Sequence, residues 1–450
     1  MSAIAKVLLE MGVEVSGSDL KESRYTRSLA DQGARIAIGH DPENLPNTGV
    51  VVISTAIPDY NPELRAAEER SLTVVKRARM LGEILRRQTV SIAVGGTHGK
   101  TTTTSMIAHI VDRAGLDPTF LIGGELNDIG SNARYGAGEL CVVEADESDG
   151  SLVHLEPDIA VVTNIDRDHL DFHKSFVNLT TLFKEWLRVL PQGGKAVVCG
   201  DGSAAEAAAI AAECNYVTFG READNDLRFL KASFSGFGSA FEVVVRESGE
   251  TVAGELSVPG EHNVLNAMAA LTVAKEIGID LSTAAPLLKD FRGAQRRFQL
   301  VGEAAGVAVV DDYAHHPTEV AVTIDAARRS GHDRVICVFQ PHRFSRTQLL
   351  SADFGAAFKD ADLVVLTNIY NAGEQPIPGV SGKLLVDEVL KTRSHVPVSY
   401  IPDKYELVDY LRSVSRPGDL VLMMGAGDIG AYAGRLPEML SVKPSLKVHS

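Results

Sequence analysis

Cysteine is scarce in this chain: there are four in 450 residues, at Cys141, Cys199, Cys214 and Cys337, with no CxxC pair among them. That excludes a disulfide-built fold and a thiolate metal site. Cys141, Cys199 and Cys337 lie in apolar runs, where cysteine serves as a small core residue, and a reducing, cytoplasmic setting fits. Long apolar runs are missing too; none approaches the roughly 18–20 residues of a membrane span. Positive charge is in deficit, with 44 Lys and Arg against 59 Asp and Glu and a net charge of −15. Nucleic acid and anionic membranes both call for a basic surface, so neither is an expected partner. A local basic pocket for a phosphorylated small molecule stays open. The opening residues lack a basic leader and a small-residue cleavage site, so no signal peptide is expected. No internal repeat or low-complexity tract occurs.

What is present is a series of short apolar runs, among them 50–54, 90–94, 140–144, 159–163, 196–199, 307–311, 334–339, 362–366 and 419–424. Near-continuous runs of this length read as strands buried on both faces, as in parallel sheets. Helical patterns at 101–114, 174–190, 262–277 and 317–330 complete an α/β reading. Residues 1–12 read as a helix and 13–17 as a strand. Residues 223–257 alternate around a Gly/Ser turn, which predicts a small antiparallel excursion. Breaks near 86–89 and 293–302 divide the chain into 1–87, 88–296 and 297–450, in keeping with about three domains for this length.

The run 90–94 leads into Gly95-Gly96-Thr97-His98-Gly99-Lys100-Thr101-Thr102, and a helix follows. Glycines let backbone N–H groups turn inward around an anion. The helix start adds its positive dipole end. Lys100 can reach the β- and γ-phosphates of a nucleotide, and the Thr101 hydroxyl can ligate Mg²⁺. The spacing is the short form G-T-x-G-K-T-T; Val94 stands where the common phosphate loop has its first glycine. A glycine turn with an accidental Lys-Thr is the plain alternative, but the flanking strand and helix favour the phosphate reading.

Ligands of open α/β sheets gather at the carboxyl ends of strands. Two acidic clusters fall there: Glu144, Asp146, Glu147 and Asp149, then Asp166, Asp168, His169 and Asp171. Helix caps would explain one or two of them; both clusters beside a phosphate loop suggest Mg²⁺ and charge balance. His169 is a poor first choice for Mg²⁺ on chemistry alone. Later strands lead into His315 and His316 and into Gln340, His342, Arg343 and Arg346. An arginine pair three apart suits carboxylate or phosphate capture. Gly425-Ala-Gly427-Asp428-Ile-Gly430 resembles a dinucleotide loop but reads as a tight turn.

In chain order, GGTHGKTTTT (95–104), EADESDGS (144–151), NIDRDHLD (164–171), PGEHNVLNAMAA (259–270), FRGAQRRF (291–298), DDYAHHPTE (311–319), FQPHRFSRT (339–347) and GAGDIG (425–430) resemble the Mur ligases of bacterial peptidoglycan synthesis. The resemblance spans the whole chain. It implies a Rossmann-like first domain, a central P-loop ATPase-like domain and a Rossmann-like third domain. It also implies an ATP-dependent ligase that joins L-alanine to the carboxylate of UDP-N-acetylmuramate through an acyl phosphate, acting as a monomer or weak homodimer. Gly96, Thr97, His98, Gly99, Lys100, Thr101 and Thr102 would hold the ATP phosphates. Thr101, Glu144 and His169 would sit at Mg²⁺, the resemblance overriding the chemical objection to His169. Asn263 and Asn266 would contact adenine, and Arg297 the γ-phosphate. Asp312, His315, Arg343 and Arg346 would serve the amino acid, and Ser18, Asp19 and Ser54 the nucleotide sugar. Lys100, Glu144, His169, Arg297 and His315 would be the catalytic set.

Members of that family open on a strand and a glycine loop, whereas Met1-Ser2-Ala3-Ile4-Ala5 matches the helix after them. Three explanations compete: a start misplaced at an internal methionine, which is favoured, a deliberate truncation, or a real variant. The expectation is a weakly held first domain and poor binding of the UDP-sugar, with the ATP residues unaffected. Rival readings are a Mur-type ligase with another amine, such as the one that recycles murein tripeptide, a P-loop kinase or NTPase without ligase activity, and a catalytically dead binding or regulatory protein, against which the intact phosphate loop and acidic clusters argue.

Overall fold

The computed structural model describes residues 1–202, 204–392 and 396–441; the tail 442–450, placed above in the third domain, lies outside the described residues. The chain forms two compact units. The first comprises Met1–Leu230, Glu242–Val252 and Leu265–Leu288, the second Lys231–Phe241, Ala253–Val264 and Lys289–Ser450.

The first unit is built on a parallel sheet with Val90–Gly95 at its centre. Leu140–Glu144 pairs with this strand on one side and Ile159–Val162 on the other, both parallel. Thr119–Leu126 lies outside the former, Lys195–Cys199 and Tyr216–Gly220 outside the latter. Because its neighbours lead off in opposite directions, the carboxyl end of Val90–Gly95 is a switch point where a loop has room to hold a ligand. These strands are buried along nearly their whole length, as their β-branched runs require. The helix Lys100–Arg113 covers the sheet with Thr101 through Val111 all buried. Helix Phe176–Arg188 is held by Trp186, fully buried, whose Nε1 donates to the Leu155 carbonyl at 3.0 Å.

Two antiparallel pieces edge this sheet. Ser131–Arg134 pairs antiparallel with Thr119–Leu126, which the sequence reading missed. The sheet order continues past Tyr216–Gly220 through Leu227–Ser235, Gly238–Val245 and Thr251–Leu256, strands whose residues divide between the two units. Two residues link the first two of these, and so short a connection allows only antiparallel pairing, as expected for 223–257.

The first 85 residues behave differently. Ser16–Asp19 pairs parallel with Arg35–Ile38, and Val50–Ile53 with Thr73–Lys76, as two separate two-stranded sheets. No residue of these four strands is fully buried. The first strand also starts at Ser16 rather than Val13, because pairing with Arg35 sets its register.

The second unit holds a six-stranded sheet in the order Gln299–Ala304, Val307–Asp312, Asp419–Met424, Arg334–Phe339, Leu363–Leu366 and Val398–Tyr400. All neighbours are parallel except the first pair. Asp312 and Phe339 both register with Met424, so the segments after three strands emerge side by side.

All four cysteines are free. Burial pushes the Cys141 thiol up to about 12 and the Cys199 thiol to about 11, which keeps both unreactive.

Candidate active site

The loop after Val90–Gly95 is tied to the segment after Ile159–Val162. The Thr97 N–H donates to the Asn164 carbonyl at 2.9 Å, and the Thr97 hydroxyl accepts from the Asp166 N–H at 2.9 Å. The His98 N–H donates to Asn164 Oδ1 at 2.9 Å, while the His98 carbonyl accepts from the Thr163 hydroxyl and from Asn164 Nδ2. His98 Nε2 lies 3.1 Å from Asp166 Oδ2. Two glycines are required by geometry. Gly96 has φ +128, and a Cβ there would lie 2.1 Å from Thr163 Oγ1; Gly99 has φ +83, and a Cβ there would lie 2.4 Å from Asn266 Oδ1. The loop's shape is thus fixed by its own glycines and by the bonds to 163–166.

Lys100, Thr101 and Glu144 are brought together. The Thr101 hydroxyl donates to Glu144 Oε1 at 3.1 Å, and Glu144 Oε2 accepts from the Gly123 N–H at 2.8 Å. Thr102 is buried one residue on. Lys100 Nζ lies 2.8 Å from Glu147 Oε2. Burial alone would lower the Lys100 pKa, but Glu147 overrides this and holds the ammonium above its usual range. Asp146 is likewise held low against its burial, first by Lys100, and its carboxylate lies 3.6 Å from Arg77 of the opening 85 residues.

The residues of the second acidic cluster take different partners. Asp166 fastens the loop, and Asp168 Oδ1 accepts from the His169 N–H. His169 has φ 54, a left-handed backbone uncommon for a non-glycine residue. Its Nε2 lies 3.6 Å from Asp168 Oδ2 and 3.9 Å from Glu147 Oε1. Asn266 packs on the loop, accepting from the Thr103 hydroxyl at 3.2 Å, while Asn263 donates to the Pro259 carbonyl at 2.7 Å and falls in the second unit.

In the opening region, Ser18, Asp19 and Ser54 line one cleft of about 980 Å³. The Ser18 hydroxyl donates to Glu63 Oε2 at 2.5 Å and lies 2.9 Å from His40 Nδ1, two polar partners that the sequence reading missed.

The second unit gathers a histidine and arginine cluster at the ends of its three adjacent strands. His315 and His342 rings lie 5.7 Å apart, and His342 stacks on Tyr370. Arg346 Nη1 is 3.3 Å from His342 Nδ1, and Arg343, at φ 68, donates its N–H to the Tyr370 carbonyl. Asp312 is buried and accepts from the Phe298 and Ala314 N–H groups at 2.7 Å each. Burial pushes its pKa up to about 6, against the pull of Arg297. Arg297 lies over the Tyr313 ring at 5.3 Å. Its neighbour Arg296 has a structural task, pairing with Asp311 at 3.0 Å and donating to the Gly425 carbonyl. Arg296 Nη1 also reaches the Gly427 carbonyl at 3.4 Å, which ties the GAGDIG turn to this side chain.

Desolvation pushes His262 down to about 4 from 6.5. A histidine kept neutral in the fold costs stability once the unfolded chain can protonate. Stability from this group is therefore whole above pH 6.5 and lost as pH falls toward 4, by about 2–3 kcal/mol. Denaturant midpoints measured at pH 7 and pH 4.5 are expected to converge in His262→Gln relative to the parent; an equal acid loss in both would refute this.

Fold and site together define the P-loop class of α/β proteins. The chain belongs to the Mur ligase family: residues 94–274 match the Mur ligase middle domain, 296–427 the Mur ligase glutamate ligase domain, and 1–89 the Mur ligase family catalytic domain. It is 49% identical over 433 residues to the UDP-N-acetylmuramate–L-alanine ligase of Rubrobacter xylanophilus, covering 95% of each chain. It is 45% identical to the same-named ligase of an Anaeromyxobacter species, over 98% of this chain and 95% of that one. Among solved structures, the UDP-N-acetylmuramate-alanine ligase of Thermotoga maritima matches with TM-score 0.81 at 28% identity, covering 97% of this chain and 96% of that one. The protein is an ATP-dependent ligase with three α/β domains.

Proposed function

We propose that this ligase joins L-alanine to the carboxylate of UDP-N-acetylmuramate, with ATP as the energy source, in peptidoglycan precursor synthesis in the cytoplasm. The observation that carries the reading is a glycine loop whose Thr101 hydroxyl meets Glu144 and whose Lys100 ammonium lies over the loop carbonyls, in a chain 49% identical to a ligase of that name. Residues 1–87, 88–296 and 297–450 are proposed as the sugar-nucleotide, ATP and amino-acid domains. Among the described residues no helix is long and apolar enough to cross a membrane.

A carboxylate does not acylate an amine unaided, because oxide is a poor leaving group. Attack of the carboxylate oxygen on the γ-phosphorus releases ADP and gives an acyl phosphate. The neutral amine of L-alanine then attacks the acyl carbon, loses a proton, and the tetrahedral intermediate expels phosphate. The loop from Gly96 to Thr102 orients the phosphates, and Lys100 neutralises the charge that develops on them. Mg²⁺, when bound, would screen phosphate charge. The Thr101 hydroxyl and Glu144 carboxylate are the hard oxygen donors it favours; the His169 imidazole suits it less. Asn263 and Asn266 are proposed for adenine and Arg297 for the γ-phosphate. Asp312, His315, Arg343 and Arg346 are proposed for L-alanine, and Ser18, Asp19 and Ser54 for the sugar nucleotide.

Phosphate release measured with each component omitted in turn is expected to require ATP, UDP-N-acetylmuramate and L-alanine together. Phosphate release independent of the amine would instead indicate an NTPase or kinase. Faster turnover with the murein tripeptide than with L-alanine would indicate the recycling ligase.

A further inference from the structure

Glu147 has no part in the reaction as set out above, yet it is the acidic group that the loop lysine touches. Its side chain is 1% exposed. Its own carbonyl accepts from His173 Nε2 at 2.9 Å and from the Gly150 N–H at 3.0 Å, which fixes the backbone beneath it. Lys100 Nζ donates to the Gly96 carbonyl at 2.6 Å, to the Thr97 carbonyl at 3.0 Å and to Glu147 Oε1 at 3.0 Å. An ammonium has three N–H donors, and all three are spent on the loop and this carboxylate. Lys100 is thus folded back over its own loop. A polyphosphate entering the loop competes with Glu147 for the same ammonium.

We propose that Glu147 is a positioning residue that holds Lys100 folded back in the nucleotide-free enzyme, and that Lys100 exchanges this carboxylate for phosphate oxygens when ATP binds. The inference rests on the ATP-binding role given to Lys100 above. It has a thermodynamic signature. Part of the binding energy of ATP goes into breaking a buried ion pair, and the carboxylate left behind favours the return of Lys100 as ADP leaves. Removing the charge on Glu147 leaves the resting lysine uncompensated, a state that destabilises the nucleotide-free protein and is relieved by phosphate.

The test is calorimetric titration of the full chain with AMP-PNP in four proteins: wild type, Glu147→Gln, Lys100→Met and the double variant. Glu147→Gln is expected to bind about tenfold more tightly than wild type, or about 1.4 kcal/mol. Its thermal midpoint should be lower without nucleotide and should rise further on adding it. In the Lys100→Met background the same substitution is expected to change affinity less than about twofold, the mark of an effect routed through the lysine. Unchanged or weaker binding by Glu147→Gln overturns the proposal. So does equal tightening with and without Lys100, which would mean plain repulsion between Glu147 and phosphate. If Glu147→Gln does not fold, Glu147→Asp carries the test: a shorter stem loosens the pair, so tighter binding supports the proposal and unchanged binding overturns it. A wild-type chain that binds no AMP-PNP would overturn the ATP reading itself, and this inference with it.

Discussion

Lys100→Met is expected to lower kcat/KM for ATP at least about a thousandfold, equivalent to about 4 kcal/mol of transition-state stabilisation. The substitution keeps the stem and removes the charge. Lys100 is the loop's own cation, set at the first turn of a fourteen-residue helix whose N–H groups supply only partial charge. The loop is expected to keep its outline through Thr163, Asn164 and Asp166, while losing the two bonds from Lys100 Nζ to the Gly96 and Thr97 carbonyls. The measurement is amine-dependent phosphate release beside a thermal unfolding curve. A variant retaining more than a tenth of parental turnover would remove Lys100 from the mechanism.

The second large effect is on stability. Trp186→Ala should cost about 3–5 kcal/mol, from the lost transfer of a large buried ring and the cavity it leaves. Part of the loss comes from the Leu155 carbonyl, which would lose its Nε1–H donor in a buried place. The ring also bounds the loop strand: a Cβ on Gly95 would lie 2.7 Å from Trp186 Cζ3. Nucleotide affinity should therefore fall together with stability. Denaturant unfolding followed by circular dichroism checks the first, calorimetric titration the second. A loss below about 1 kcal/mol would mean that the surrounding side chains collapse into the space.

The loop was legible because its constraints are local. Glycines join a strand to a helix that opens on one lysine and a threonine run, and eight consecutive residues carry the signal. The parallel strands were legible for a related reason: burial on both faces demands unbroken apolar runs, and Ile92–Val94, Val142–Val143 and Val309–Val310 supply them. Partners distant in the chain were not legible. Asn266 lies 163 residues from the threonine whose hydroxyl it accepts. Nor does spacing separate Glu144 from Glu147, three residues apart at one strand end; only the fold directs one to Thr101 and the other to Lys100. Arg296 and Arg297 are neighbours with different tasks for the same reason. The strand Thr119–Leu126 was missed; two glycines interrupt its apolar run, and one of them offers its N–H to Glu144.

The chain has a single tryptophan, and it is Trp186. Its indole is sealed from water and lies against the strand that ends in the phosphate loop. The one indole of the chain thus stands beside the strand that leads into the proposed phosphate loop. Its emission, excited at the red edge where tyrosine is silent, reads that locality, and a change on adding AMP-PNP is the expected sign that the proposed loop takes up nucleotide.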